Sequence, residues 1–133
     1  MRQWMVEPKL LCRKHLLGEH VEHHMFLGTL KKNISVGGYL RDGLLDILSL
    51  KTRHDALVAE MISRGYRHHS ATETTNEQLI AYAEQWKHIP SCINVETNLA
   101  ELCRRCPDCK SRIEAQRNNS VDGSQSISTA NAN

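Results

Sequence analysis

The sequence predicts an all-α protein: a compact single-domain helical bundle with a long N-terminal helix and a disordered C-terminal tail. Apolar residues recur at helical spacing in several segments, capping residues stand before those segments, and no segment shows the alternation of a strand. The 133 residues are enough for one domain with one modest core. We expect the helical domain to cover residues 1–113 and the polar tail to cover residues 114–133.

The first predicted helix covers residues 10–30, and Pro8 suits the turn at its start. Its inward face is predicted from apolar residues at helical spacing, namely Leu10, Leu17, Val21 and Gly28, widened by Leu11, Met25 and Leu27. His15, Glu19 and Glu22 follow one another at steps of four and three, so they share a neighbouring face. This helix therefore presents ionisable groups beside its apolar stripe.

Three shorter helices are predicted after it, over residues 49–64, 75–87 and 95–105. Ser49, either Thr74 or Thr75, and Asn94 are the capping residues expected at their starts, and Gly65 ends the first of the three. The glycine-broken segment 33–46 is predicted to be a surface loop, and residues 106–109 a tight turn. The residues from 114 onward are polar and poor in hydrophobic side chains, which predicts disorder.

Composition excludes several classes of protein. No apolar run reaches the length of a membrane span, so we expect no membrane partner. Aromatic residues make up only 5% of the chain, which is too few for a platform that stacks many bases. The formal charge of +2 permits nucleic-acid binding only through a local basic surface. Five cysteines without a secretion signal indicate a reducing compartment, with free thiols or a metal site.

Two groups near the start of the chain have the chemistry of a catalyst. A neutral α-amine can attack an electrophilic sugar carbon, and a useful fraction of α-amines is neutral near pH 7. The amine here belongs to Met1, and the next residue, Arg2, suits a phosphate. Glu22, on a helix face near the predicted core, is either a general base or a surface carboxylate paired with a neighbouring cation.

The cysteines and histidines suggest metal sites. Three cysteines follow a C-x2-C-x2-C spacing and a fourth lies upstream, so the predicted zinc ligands are Cys92, Cys103, Cys106 and Cys109. Free structural thiols are the alternative, and Cys12 is predicted to be a core residue. His20 and His24 stand four apart, as helical metal ligands often do, but their surroundings match no familiar motif. We therefore favour solvated or groove-lining histidines.

Three segments resemble the pyrimidine-dimer DNA glycosylase family, the phage-type endonuclease V. The first, His15-Leu16-Leu17-Gly18-Glu19-His20-Val21-Glu22, is similar to the H-L-x-x-E-x-x-E helix of the family. The second runs from Leu50-x-x-Arg53-His54-x-x-Leu57 through Glu60 to Arg64-Gly65-Tyr66. The third is the stretch from Ile93 to Leu102 with Glu96, followed by Arg105-Cys106-Pro107. Val21 and Met25 depart from the pattern, since arginines that contact DNA stand there in the family's best-known member.

The resemblance implies a DNA-repair glycosylase with associated AP-lyase activity and no catalytic cofactor. Met1, retained in the mature chain, would supply the amine that forms a Schiff base at C1′; Glu22 would assist β-elimination and His15 would support the site. The expected DNA contacts are Arg2, Lys14, His24, Arg64 and Arg67. The expected substrate is double-stranded DNA with a pyrimidine dimer or another damaged or modified base, bound by a monomer in the cytoplasm of a bacterial cell or a phage-infected host.

Two other functions remain open at this point. One is a non-catalytic DNA- or protein-binding module with a structural zinc site in its cysteines, which the absence of the two arginines favours. The other is a zinc-dependent hydrolase or deaminase, because His20-Val21-Glu22 and Cys106-Pro107-Asp108-Cys109 superficially resemble the two halves of a zinc deaminase signature.

Overall fold

A computed structural model of the chain describes residues 1–68, 72–87 and 93–127, with side chains up to residue 119. Within these ranges six α-helices follow one another: α1 Arg13–Lys31, α2 Gly37–Arg41, α3 Leu50–Ser63, α4 Asn76–Gln85, α5 Val95–Arg105 and α6 Pro107–Ile127. Short 3-10 turns at Pro8–Leu10 and Ile47–Ser49 precede α1 and α3. The described residues contain no strand, and the predicted all-α class is confirmed.

The first predicted helix is divided into two pieces. Pro8 begins the 3-10 turn, Leu11 is extended, and Cys12 is the N-terminal capping position of α1. The helix therefore starts at Arg13, three residues later than the pattern predicted. The interruption turns Cys12 towards α6, and its backbone N–H donates to Cys109 Sγ at 3.2 Å.

The inward face predicted for the first helix was wrong only in part, since Leu11 and Leu27 are buried as expected. Val21 and Met25 are 53% and 50% exposed, whereas Leu16, Phe26 and Leu30 are buried. Glu19, His20 and His23 are also buried on this helix. Apolar spacing misplaced part of the face because these polar residues turn inward together with the leucines.

The core has two parts along α1. The first joins the N-terminal residues to α1, α3, α5 and α6 through Trp4, Val6, Leu11, Leu16, Leu57, Met61, Leu102 and Ile113. The second lies around the end of α1 and includes Phe26, Leu30, Val36, Leu45, Leu50 and Leu79. Val36 and Leu45 are fully buried, so the segment predicted to be a surface loop contributes to the core and contains α2.

The ends of the shorter helices agree well with their sequence signals. Thr75 forms a reciprocal capping box with Gln78 at the start of α4. Asn94 Oδ1 accepts from the Thr97 N–H at the start of α5. Gly65, with φ +84°, follows the end of α3. Ser49 differs from prediction, since its hydroxyl donates to the Asp46 carbonyl instead of capping α3.

Helix α6 extends into the segment for which the sequence predicts disorder. Pro107 occupies its first position and Asp108 its first turn, both favourable at a helix N-terminus. Cys109 and Ile113, four residues apart, are buried against the first part of the core. The helix then continues to Ile127, and residues 128–133 lie outside the described part of the chain. None of the described helices combines the length and apolar character needed to cross a membrane.

Candidate active site

The N-terminal arm, residues 1–6, is held in place by buried hydrogen bonds. The backbone N–H of Gln3 donates to the Leu44 carbonyl at 2.8 Å, and its side-chain oxygen accepts from the Asp46 N–H. On α5, the buried Asn98 donates from Nδ2 to the Trp4 carbonyl at 2.7 Å. These bonds hold Gln3 and Trp4 in place, and they therefore also position the two residues that precede Gln3.

A cleft of about 350 Å³ lies between the N-terminal arm, the first half of α1 and the end of α5. Its lining consists of Met1, Arg2, Trp4, Lys14, His15, Gly18, Glu19, Glu22 and Arg105. The Arg2 backbone N–H donates to Glu22 Oε1 at 2.8 Å. The structure thus brings together five of the residues that the sequence singled out: Met1, Arg2, Lys14, His15 and Glu22.

Cationic side chains line the cleft together with Glu22. The Arg2 guanidinium lies 3.9 Å from the centre of the Trp4 ring and donates to Asn98 Oδ1 at 2.5 Å. Arg105 approaches the same ring at 5.3 Å. Burial lowers the pKa of Arg2, and the positive charge of Arg105 lowers it further, although arginine stays protonated in proteins. A cleft lined by these cations and Lys14 attracts an anion such as a phosphate.

Glu19, although it lines the cleft, is bound to a buried cation. Arg53 on α3 donates to both of its carboxylate oxygens, at 2.7 and 2.9 Å, and also donates to the Val6 carbonyl at 2.6 Å. Both side chains of the ion pair are buried, at 5% and 0% exposure. This pair therefore joins α1, α3 and the N-terminal arm, and Glu22 is left as the accessible carboxylate of the cleft.

A cysteine–histidine cluster borders the cleft and is formed by Cys12, His15, Cys106 and Cys109. Cys12 Sγ lies 3.3 Å from His15 Nδ1 and 3.8 Å from Cys106 Sγ, and Cys109 Sγ lies 3.5 Å from His15 Nδ1. The cysteines are free thiols. One potential ligand atom from each residue lies within 4.8 Å of those of the others, which suits a single metal ion.

The residues of this cluster differ from the predicted zinc ligands. Cys106 and Cys109 belong to it as expected, but Cys103 packs against the first part of the core instead. Cys12 and His15 take the remaining places, and Cys92 lies outside the described residues. The sequence did not suggest these partners because Cys12 and His15 contact Cys106 and Cys109 across 94 to 97 positions of the chain.

The environment shifts the acidity of the cluster. Burial raises the pKa of Cys109 to about 12. Burial also opposes ionisation of Cys106, but hydrogen bonds from the backbone and thiol of Cys109 bring its pKa below the ordinary value. Burial lowers the pKa of His15, and the charges of Arg105 and Lys14 act in the same direction. His15 is therefore favoured as a neutral imidazole, the form that binds a metal.

A second group, the four-histidine cluster, lies between α1 and α3. It consists of His20, His24, His54 and His68. Burial lowers the pKa of His20 to about 4 and also lowers that of His24, with His54 adding to both shifts. His24 was predicted to contact DNA, but the structure places it in this cluster instead of the cleft.

Two other predicted DNA contacts also lie outside the cleft. Arg64 is engaged internally: it pairs with Glu60 at 2.8 Å and donates to the Leu11 carbonyl at 2.7 Å. Arg67 is exposed in the segment after α3. The arrangement required for a deaminase is not formed either, because His20 belongs to the four-histidine cluster while Glu22 lines the cleft.

Several residues of the site were missed by the sequence reasoning. Asn98, Arg105 and Trp4 line or support the cleft, and Gln3 anchors the arm. Asn98 carried one usable signal, since it stands four residues before the inward-facing Leu102 on an amphipathic helix and so shares its buried face. A polar residue at core spacing calls for a specific hydrogen-bond partner.

Comparison with known proteins identifies the family of this chain. The sequence model of a family described as pyrimidine dimer DNA glycosylase matches residues 1–74, which include the N-terminal arm, α1 and α3. Searches of curated proteins and of solved structures found no match. Because the match covers more than half of the chain, this protein belongs to the pyrimidine dimer DNA glycosylase family.

Proposed function

We propose that this protein is a DNA glycosylase with associated AP-lyase activity, acting on duplex DNA with a pyrimidine dimer or another damaged or modified base. The observation that carries the proposal is the contact between the Arg2 backbone N–H and Glu22 Oε1 at 2.8 Å. It places a carboxylate one peptide unit from the α-amine of Met1, in a cleft that both residues line. Family membership supports DNA as the substrate.

The proposed reaction uses these two groups in sequence. The neutral amine attacks C1′ of the sugar, the bond from C1′ to the base breaks, and the base leaves with the bonding electrons and gains a proton. Loss of a proton from nitrogen and opening of the sugar ring give a Schiff base. Glu22 then removes a proton from C2′, and the bond to the 3′ phosphate breaks in β-elimination. Water finally hydrolyses the imine and regenerates the amine.

The cations of the cleft support binding of the sugar–phosphate backbone. Arg2, Lys14 and Arg105 provide positive charge within reach of phosphates on either side of the reacting sugar. The sugar C1′ becomes accessible only if the damaged nucleotide leaves the base stack, so we expect the DNA to be bent or locally opened. The exposed Val21 and Met25 offer an apolar surface on the same helix for contact with the unstacked bases.

Borohydride trapping tests the amine mechanism. The protein, with its free N-terminal amine verified by intact mass, is incubated with duplex DNA carrying an abasic site or a pyrimidine dimer, in borohydride and chelator. We expect a covalent adduct that maps to Met1 and that disappears when the N-terminus is acetylated. A folded protein with a free N-terminus that forms no adduct on either DNA would refute the proposal and favour a non-catalytic DNA-binding module.

We further propose that zinc is bound by Cys12, His15, Cys106 and Cys109 as a structural ion. Ligands at about 2.0–2.3 Å from zinc lie roughly 3.3–3.8 Å apart in a tetrahedron. The contacts of 3.3, 3.5 and 3.8 Å within the cluster fall in this range. The Cys109 N–H to Cys106 Sγ contact of 3.4 Å and the Cys12 N–H to Cys109 Sγ contact of 3.2 Å would stabilise thiolates.

Such a site has a consequence for His15. Four protein ligands leave no open position for a catalytic water, so the zinc would be structural. His15 would then act as a positioning residue: its ring, held by the metal, forms one wall of the cleft and stacks edge-on against Trp4 at 5.8 Å.

A further inference from the structure

The four-histidine cluster brings together side chains from distant parts of the chain. His20 and His24 lie one turn apart on α1, His54 lies on α3, and His68 lies in the segment after α3. One ring nitrogen from each lies within 4.8 Å of those of the other three. His20 and His54 are buried, at 8% and 2% exposure, and His24 and His68 are half-buried. Four convergent imidazoles with this burial call for a common partner.

Two nitrogens of the cluster lack a partner where one is needed. His24 Nε2 and His54 Nε2 are buried from solvent and have no hydrogen-bond partner among the residues that the structure describes. The other two rings face each other through Nε2, with His20 and His68 only 3.0 Å apart. Hydrogen bonding within the cluster therefore pairs His20 with His68 and leaves His24 Nε2 and His54 Nε2 unsatisfied.

We propose that this cluster binds one zinc ion through four imidazole nitrogens. Neutral imidazole is a favourable ligand for zinc, and structural zinc sites are almost always tetrahedral with four protein ligands. Tetrahedral nitrogen ligands lie about 3.3 Å apart around zinc. A small closure of the four rings reaches this geometry, because one pair already lies at 3.0 Å and all lie within 4.8 Å.

The surroundings of His54 and His23 support the assignment. Asp55 Oδ1 lies 3.0 Å from His54 Nδ1, so that nitrogen donates to the carboxylate and Nε2 keeps its lone pair for the cluster. Histidines that bind metals are commonly oriented by a carboxylate in this way. His23 is different: Nδ1 contacts the Glu19 carbonyl at 2.8 Å and Nε2 contacts Gln3 Nε2 at 3.1 Å. It is a hydrogen-bonded core histidine, and therefore a suitable control.

The location of the site assigns it a structural task distinct from catalysis. Four protein ligands close the coordination sphere, and none of the four residues lines the cleft. The ion would join α1 to α3 and to the chain that follows α3. It would thereby hold α1 at a place outside the cleft, independently of the cysteine–histidine cluster.

Metal content tests the site directly. The full chain, purified without a histidine tag after growth in zinc-supplemented medium, is measured for bound metals by mass spectrometry of the native protein and by elemental analysis. We expect two zinc ions per chain, one in each cluster. His24→Ala with His54→Ala is expected to retain one, as is Cys106→Ser with Cys109→Ser, whereas His23→Gln keeps both.

A milder variant keeps the test valid if the double substitution does not fold. His68 lies outside the helices and is half-buried, so we expect His68→Ala to fold as judged by circular dichroism. Loss of a residue that merely orients a ligand lowers metal affinity by about 10–100-fold. His68→Ala should therefore weaken one zinc site at least about 100-fold in competition with a chromogenic chelator.

Cobalt substitution identifies the ligands. Cobalt bound to the variant with both Cys106→Ser and Cys109→Ser should show tetrahedral absorption without thiolate charge-transfer bands, and His68→Ala in that background should abolish it. A wild-type chain holding a single zinc ion, lost with Cys106→Ser and Cys109→Ser, would overturn the proposal. So would a folded His68→Ala variant with unchanged zinc affinity at both sites. DNA cleavage is not the readout, so failure here leaves the proposed glycosylase untouched.

Discussion

At the scale of single residues, the cleft separates two carboxylates that the sequence places on one helix face. Glu19 and Glu22 both line it, but Arg53 binds Glu19 through both oxygens, while Glu22 accepts from the Arg2 backbone. A buried carboxylate held by arginine is committed to an ion pair whose disruption is costly. Glu22 is therefore the carboxylate available for proton transfer.

Replacing Glu22 by glutamine separates the two proposed steps. The amide oxygen can still accept from the Arg2 N–H, so we expect the arm to keep its position and the adduct with abasic DNA to form. Strand cleavage should fall by about 10²–10⁴-fold, the usual contribution of a general base. Single-turnover cleavage on denaturing gels measures this rate.

The matched control for that variant is Glu114→Gln, which removes the same charge from an exposed position on α6. It should cleave at the wild-type rate. If Glu22→Gln also cleaved at the wild-type rate, another group would have to remove the C2′ proton, and the role proposed for Glu22 would be wrong.

At the scale of elements, α1 is held at three places along its length. The cysteine–histidine cluster ties its first turn to the start of α6, the Glu19–Arg53 pair ties its middle to α3, and Phe26 and Leu30 pack in the second part of the core. The start of α6 contributes little apolar surface besides Cys109 and Ile113. The junction between α1 and α6 should therefore depend on the zinc ion proposed for that cluster.

Removal of the proposed cysteine-bound zinc should loosen this junction. Cys106→Ser with Cys109→Ser is expected to lose that ion and to lower the free energy of unfolding by roughly 3 kcal/mol or more, because metal binding contributes directly to folding. Chemical denaturation and metal analysis measure the two effects.

Cys103→Ser is the matched control, since Cys103 lies three residues from Cys106 but outside the cluster. It should keep the zinc. Zinc loss with Cys103→Ser, or full zinc content in the double variant, would contradict the assigned ligand set.

At the scale of the whole molecule, the net charge is only +2, but cationic side chains are concentrated in one place. Arg2, Lys14 and Arg105 gather at one cleft, although they come from the N-terminal arm, α1 and α5. If each neutralises one phosphate, log Kd should vary with log salt concentration with a slope magnitude of about 3. DNA binding should therefore weaken steeply as salt rises.

Lys14→Ala should reduce that slope by about 1 and weaken binding to every DNA sequence alike, as expected for a phosphate contact. Titration of labelled duplex at several salt concentrations measures the slope. Arg64→Ala is the comparison, because it removes a positive charge whose guanidinium bonds internally to Glu60 and Leu11; stability should fall while the salt slope stays the same. A salt slope reduced by about 1 in Arg64→Ala would instead show that Arg64 contacts a phosphate.

By itself, the sequence determined the helical class and most helix ends, because these follow from local interactions. Thr75, Asn94 and Gly65 act within one turn of the helix that they begin or end. Local spacing also placed His15, Glu19 and Glu22 on one face, and all three line the cleft. The family resemblance added the grouping of Met1, Arg2 and Glu22, which adjacent residues alone do not reveal.

Only the tertiary structure decided which face of α1 turns inward and which residues share a site. Glu19 and His23 are buried because Arg53 and Gln3 satisfy them, and those partners lie 34 and 20 positions away. The metal-site candidates likewise join α1 to residues far along the chain, from His54 to Cys109. Apolar periodicity does not reveal such pairs. A buried polar group is stable only with a hydrogen-bonding or charged partner, and the spacing of residues along one helix does not identify that partner.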